Sequence, residues 1–240
     1  AYLLMGNYTE AKINAVEALK LQDRLENLNT YIDGSVAYPR NMDDKEVIFA
    51  KLPVNAFRVE SWGGASQLVL SDDLLNMFDK EHDLRYRYFT RSMEDLGMTN
   101  NLYASSYPTY EARNMGPCVP EMMLIEAECW AREGEIEEAM SLVNDLREYR
   151  YAEGEDYTLS AATAKEALGH VLQERRRELM CHGLRWLDQR RLTNDPDFPT
   201  QTVTRVFKGT TYTLTPGAVR YTFPMGELYL EENPEIGQIK

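Results

Sequence analysis

Glu174-Arg175-Arg176-Arg177-Glu178-Leu179, followed by Gly183-Leu184-Arg185-Trp186-Leu187-Asp188-Gln189-Arg190-Arg191, decides the reading of this chain. Leu168, Val171, Leu172, Leu179, Leu184 and Leu187 form an apolar stripe at helical spacing, which predicts one charged helix over 165–190. Glu174, Arg177 and Glu178 stand three and four residues apart, where opposite charges meet on a helix. Arg185 and Asp188 are again three apart. Charge at this density beside core residues predicts a partly buried guanidinium–carboxylate network rather than a solvated face. Glu174, Arg177, Glu178, Arg185 and Asp188 are accordingly read as structural. The alternating acids favour internal pairing of Arg175, Arg176 and Arg177 over a phosphate or acidic-sugar site.

Working outward, Pro120-Glu121-Met122-Met123-Leu124 opens a helix over 123–132, Glu133-Gly134 is its turn, and a second helix runs over 136–149. Ala127, Gly134 and Ala139 hold positions like those of a tetratricopeptide repeat. At the other end, Gly6, Tyr8, Ala11 and Ala18 match the second half of such a repeat. The expected class is mainly α: TPR-like helical hairpins with a long, irregular, loop-rich insertion and short β-hairpins. As a single region, 1–240 divides into a helical hairpin at 1–22, the insertion at 23–119, a helical core at 120–192 and an irregular segment at 193–240.

Within the insertion, Glu46–Ala50 and Gln67–Leu70 read as strands. Ser71–Phe78 reads as a helix with Ser71 as its N-cap. Beyond the core, Thr202–Phe207 and Thr211–Leu214 flank Lys208-Gly209-Thr210 as a hairpin, and Glu227–Glu231 reads as a short helix.

The chain has 240 residues and a net charge of −13. The acidic balance argues against nucleic acid, which needs a basic face. No stretch of about 18 apolar residues is present to span a bilayer. Three cysteines without close spacing make neither a disulfide framework nor a zinc ribbon; Cys129 and Cys181, in helical patterns, read as buried small hydrophobes. The three histidines show no ligand spacing, and Asp195 and Asp197 offer too few oxygens for calcium. No metal or cofactor is expected. Cys181-His182 is poor geometry for a nucleophile and its base, since neighbours on a helix point about 100° apart. A glycosidase needs two carboxylates across a cleft, and among 39 acidic residues the sequence singles out no pair.

Aromatic residues carry more information. Tyr31, Tyr38, Trp62, Tyr103, Tyr107 and Tyr110 lie in the insertion beside Gly, Pro, Asn or Ser. An exposed ring stacks on the C–H face of a sugar while polar neighbours bond its hydroxyls. Trp62, Tyr38, Tyr103, Tyr107 and Tyr110 are the candidate ligand-binding residues; the competing role is anchoring loops to the helices. Trp130 and Trp186, inside helical patterns, are expected in the core.

The run ERRREL…HGLRWLDQRRL resembles the signature helix of the SusD/RagB family of outer-membrane nutrient-binding lipoproteins. Pro120–Glu128 leading to Asn144-Asp145-Leu146-Arg147, and Tyr221-Thr222-Phe223-Pro224 leading to Asn233-Pro234, support the resemblance in the family's order. Asp83-Leu84-Arg85 matches more loosely. The resemblance implies a non-enzymatic helical scaffold that binds an oligosaccharide or another nutrient, such as a peptide. It implies delivery to a TonB-dependent SusC-like transporter at the outer membrane, with membrane contact through an N-terminal lipid anchor outside this chain. A helical-repeat scaffold that only docks partner proteins is the reading from a different class.

Overall fold

The computed structural model describes residues 1–52, 69–94, 103–105, 108 and 113–237. They form two compact units, Ala1–Arg185 and Trp186–Lys240.

The first unit is built on helices. A 3-10 turn, Tyr2–Met5, leads into α1, Tyr8–Leu21, whose N-cap Asn7 accepts the Glu10 N–H. A second 3-10 turn, Leu28–Tyr31, is followed by α2 (Asp72–Leu75), α3 (Leu84–Phe89), β1 (Thr90–Ser92) and β2 (Tyr103–Ser105). Then come α4 (Val119–Glu133), α5 (Ile136–Glu148) and α6 (Ala164–Glu178). Helix α4 packs against α1, α5 and α6. Small residues make the approach possible: Ala11, Ala15, Ala127 and Ala139 are all buried. Val119, Leu124, Val143, Leu146 and Val171 fill the space between the helices. Each fully buried aliphatic side chain contributes about 1.5–3 kcal/mol of transfer free energy. Helix α6 begins with a reciprocal cap: Thr163 Oγ1 accepts the Glu166 N–H at 3.1 Å, and the Glu166 carboxylate accepts the Ala162 N–H at 2.8 Å.

The second unit begins in α7 (Arg185–Arg191), continues through β3 (Val203–Phe207) and β4 (Thr210–Leu214), and ends in α8 (Glu227–Glu232). β3 and β4 pair antiparallel, Phe207 opposite Thr210, around Lys208-Gly209 at positive φ. That is the two-residue turn whose twist suits a hairpin.

Several local expectations change. The helix expected over 165–190 is two helices. Cys181 and Gly183 adopt φ of 65° and 77°, a left-handed backbone that a right-handed helix cannot pass through. Cys181 therefore sits in the connecting turn and is partly exposed rather than buried in a helix. The helix expected over Ser71–Phe78 has its cap, Ser71 Oγ accepting from Leu74 N, but ends at Leu75. The strand expected at Glu46–Ala50 is a single bridge, Val47 to Cys118. The N–H groups of Ile48 and Phe49 both turn to the Pro117 carbonyl; Pro117 has no N–H to return, so a ladder cannot extend. Residues 67–68 of the other expected strand lie outside the described residues.

Trp130 is not a core residue. Its half-buried ring carries the Lys12 ammonium 3.6 Å from its centroid, and its Nε1–H donates to Glu126 at 3.1 Å. Lys12 also pairs with Glu133, so this corner ties α1 to α4 by a cation over a ring. The cause is position: the indole lies on the rim of α4, where a polar edge can stay wet.

Candidate functional site

Several described residues of the insertion gather on one apolar cluster. Leu28, Tyr31, Leu70, Leu75, Phe78, Leu84, Phe89 and Met180 form it, with Tyr38, Tyr86 and Tyr103 packed around it. Tyr38 stands 5.0 Å from Tyr31 at 56° and 5.9 Å from Phe89 edge-on. Tyr103 stands 5.6 Å from Tyr86. Burial, and the hydrogen bond shared with Tyr103, push the Tyr86 phenol above its ordinary range. The Leu70 N–H donates to the Tyr103 carbonyl at 2.8 Å, which joins two distant parts of the insertion. Two of the five candidate ligand residues, Tyr38 and Tyr103, are thus partly buried rings seated on a common core. Trp62, Tyr107 and Tyr110 lie outside the described residues.

Behind this cluster runs a buried ion network. The N-cap of α3, Asp83, grips Arg85 through Nε and Nη2 at 2.9 and 2.7 Å. Arg85 Nη1 reaches Glu174 at 2.5 Å and Glu178 at 2.8 Å. Glu174 also accepts from Arg177 at 2.5 Å and Arg147 at 3.0 Å. Arg150, just past α5, holds Glu178 through Nε and Nη2 and reaches Glu46 at 2.7 Å. Burial by itself would raise both α6 carboxyls. The guanidinium groups overcome it, holding Glu178 down to about 2 and Glu174 further below the carboxylate range. Every one of these carboxylates is answered by a donor, which is the condition for burying charge. The helix signature pairs as expected at Glu174 and Arg177, while Glu178 is answered from other elements. In the second unit, Asp188 accepts from Arg191 at 2.7 Å.

Two concavities lie in the first unit. One is a small cavity of about 40 Å³, lined by Tyr38, Asp44, Glu46, Arg113, Arg150, Glu178 and His182 among others. Burial and the neighbouring carboxylates push Asp44 up to about 6 and Glu46 up to about 7. Acids tuned towards neutrality are what general acid catalysis uses. Here they face room for only a few waters, at roughly 10–15 Å³ each. Burial and the charge of Arg113 push the His182 imidazole down to about 3, so it is neutral across physiological pH. The other concavity is an open groove of about 880 Å³ between α1, α4 and α5. Val16, Leu19, Leu25, Met123 and Leu142 line it together with Lys20, Arg24, Lys45, Glu126, Asp145 and Glu148. Its volume suits a ligand, and among the described residues Tyr149 is the one aromatic ring that lines it.

In the second unit, Trp186 stacks on Phe223 at 5.6 Å and 23° and meets Tyr221 at 4.8 Å. Its Nε1–H donates to the Tyr221 carbonyl. Trp186 is only partly buried and Phe223 is exposed, so Trp186, like Trp130, is not the core residue expected; it packs against the rings of its own unit. Asp195 Oδ1 accepts the N–H groups of Asp197 and Phe198, a turn-forming role. Among the described residues no group of three or more His, Cys, Asp or Glu is placed to hold a metal ion.

Sequence reasoning missed Glu46 and Arg150 as network members. Asp83, Arg85 and Arg147 were quoted only as motif letters. The one available signal was the surplus of acids over Lys and Arg, which makes each buried arginine a shared partner.

Residues 119–233 match the family model described as the SusD family. In fold, the chain is similar to a SusD superfamily protein from Parabacteroides distasonis, with TM-score 0.64 and 15% identity over 97% of this chain and 57% of that one. A SusD-like carbohydrate binding protein from Bacteroides vulgatus gives TM-score 0.61 and 17% identity, covering 95% of this chain and 55% of that one. A SusD-like protein from Bacteroides fragilis gives TM-score 0.63 and 15% identity, covering 99% and 62%. The chain thus spans 55% to 62% of the length of these structures. At such identities the likeness shows the fold. No curated protein matches the chain.

Proposed function

We propose, from the premise that this chain belongs to the SusD/RagB family, that it is a non-enzymatic nutrient-binding protein of the outer cell surface and that its nutrient is a glycan. The match of residues 119–233 to the family is the observation on which this rests. The charged signature of those residues is spent inside the protein: Glu174 and Arg177 are buried and paired. Ligand binding is thereby left to the insertion, where Tyr38 and Tyr103 are held as partly exposed rings on a firm base. Rigid rings bind a sugar face at low entropic cost. The similar protein from Bacteroides vulgatus is a carbohydrate binding protein by its description, which favours sugar over peptide.

The same reading has a lipid-anchored, longer protein passing its ligand to a TonB-dependent SusC-like transporter. No helix among the described residues is long and apolar enough to cross a membrane, which fits attachment from outside. A glycosidase is disfavoured because the carboxylates tuned towards neutrality, Asp44 and Glu46, face a cavity of about 40 Å³, too small for a sugar ring.

The test is affinity electrophoresis through polysaccharide gels, with a glycan array, comparing the chain with Trp62→Ala and Tyr107→Ala. Retardation that the variants lose supports glycan capture by the insertion. Peptide binding without glycan binding moves the reading to the peptide-binding alternative, and release of reducing sugar overturns it.

A further inference from the structure

The insertion is closed at its base by a clasp. The Val119 N–H donates to the Glu46 carbonyl at 2.8 Å, and the Met115 N–H to the Lys51 carbonyl at 2.8 Å. Lys51 N–H returns to Asn114 Oδ1 at 2.8 Å. These bonds lay Asp44–Lys51 along Asn114–Val119.

Three carboxylates meet at the inner end of this clasp. Glu46 Oε1 accepts the Glu26 N–H and Arg150 Nη2, both at 2.7 Å. Asp44 Oδ1 accepts the Glu46 N–H at 2.8 Å. Glu26 accepts the Tyr31 O–H at 2.5 Å and lies 3.2 Å from Lys45 Nζ. The cations that answer them are shared or wet. Arg150 gives Nε and Nη2 to Glu178 as well, and the Lys45 side chain is 44% exposed. Arg113 lines the same cavity and donates through Nη1 to the Met180 carbonyl at 3.1 Å. Tyr38, Cys118 and His182 complete the wall. Glu26, Asp44 and Glu46 thus face Lys45 and a divided Arg150, so acids outnumber the positive charges bonded to them.

We propose that this cluster is a proton-operated clasp. A proton held on Asp44 or Glu46 keeps Asp44–Lys51 against Asn114–Val119, and its loss loosens the base of the insertion. The device is independent of what the insertion binds. Its direction follows from the raised carboxyls. Burial, with repulsion from neighbouring acids and against the pull of Arg150, lifts Glu46 to about 7 and Asp44 to about 6. A group whose folded pKa is raised stabilises below its unfolded value and loses that contribution as pH rises through the folded one. The clasp is closed near pH 5 and loosens through pH 6 to 7.

Hydrogen exchange of the full chain between pH 5 and 8, corrected for the chemical rate, tests this. Protection of amides in 46–51 and 114–119 is expected to fall at least about tenfold over that range, set by the lifted carboxyls. Amides in the middle of α4 are expected to hold level. Glu46→Gln is expected to abolish the fall, and Asp44→Asn to reduce it, which keeps the test open should Glu46→Gln fold poorly. A level profile in the parent chain, an equal fall throughout α4, or a fall unchanged in both variants overturns the clasp.

Discussion

Arg85 Nη1 lies 2.5 Å from the Glu174 carboxylate across 89 residues of sequence. This contact joins the N-terminal end of α3 to the C-terminal third of α6, and with Arg150–Glu46 it is one of the joints between the insertion and the helical core. Neither residue has a hydrated alternative: Arg85 is 1% exposed and Glu174 not at all.

Removing Arg85 therefore leaves Asp83, Glu174 and Glu178 short of a shared cation. Arg85→Ala is expected to destabilise the fold by about 3–5 kcal/mol, the cost of an uncompensated buried charge. Urea unfolding followed by far-UV dichroism measures it. Arg85→Lys should recover little, because an ammonium cannot reproduce the planar fork on Asp83; full recovery would refute the bidentate account.

Acid should unfold the protein through α6. Glu178 titrates at about 2, below its ordinary 4.5, and Glu174 is lowered further. A depressed carboxyl stabilises above its unfolded pKa and loses that contribution as pH falls through the folded one. The urea midpoint is expected to decline from pH 4.5 towards 2. In Glu178→Gln the decline should be shallower, from a lower starting stability at neutral pH. An unchanged slope would remove Glu178 from the acid limb.

A glycine supplies a second sharp test. A Cβ on Gly116 would stand 2.0 Å from the Phe49 carbonyl oxygen, and both partners are backbone. Gly116→Ala is expected to cost about 1–3 kcal/mol, the usual range for overpacking. Because Gly116 sits in the clasp, faster exchange in 46–51 should accompany the loss. A variant as stable as the parent would show that the two segments can part freely.

Tyr38 and Trp62 should separate by their effects. Tyr38 packs on Tyr31 and Phe89, and each aromatic pair adds about 0.5–1.5 kcal/mol. Tyr38→Ala is expected to lower the melting temperature as well as ligand retardation. Trp62→Ala, by the proposed role, lowers retardation alone. Calorimetry beside affinity gels reads both; a melting shift in Trp62→Ala as large as in Tyr38→Ala would make Trp62 an anchor.

The thiols should react in order of exposure. Burial pushes Cys129 up to about 12 and raises Cys118 well above its ordinary value, and the thiolate is the reactive form. Cys181 is only partly buried. Iodoacetamide on the native chain at pH 8 is expected to modify Cys181 first, with the other two following only on unfolding. Peptide mass spectrometry locates the label, and early labelling of Cys118 would contradict its burial.

Short-range signals in the sequence were enough for most of the helical frame. The alanine spacing of α1 and α4, the Ser71 cap of α2 and the hairpin turn around Lys208-Gly209 each act within a few residues. Their reading needs no knowledge of the rest of the chain. The charged signature likewise declared itself as buried structure, because Glu174 and Arg177 are one turn apart. What tertiary structure alone decided is who answers whom. Glu178 finds Arg85 and Arg150 rather than a helix neighbour, and Glu46 becomes a pole of the network although it reads as part of a strand. Such choices depend on which side chains are desolvated together, a long-range property that local spacing does not encode. The same holds for the aromatics: exposure of Tyr38 or Trp130 is set by the neighbour that happens to cover one face, whether Phe89 or the ammonium of Lys12.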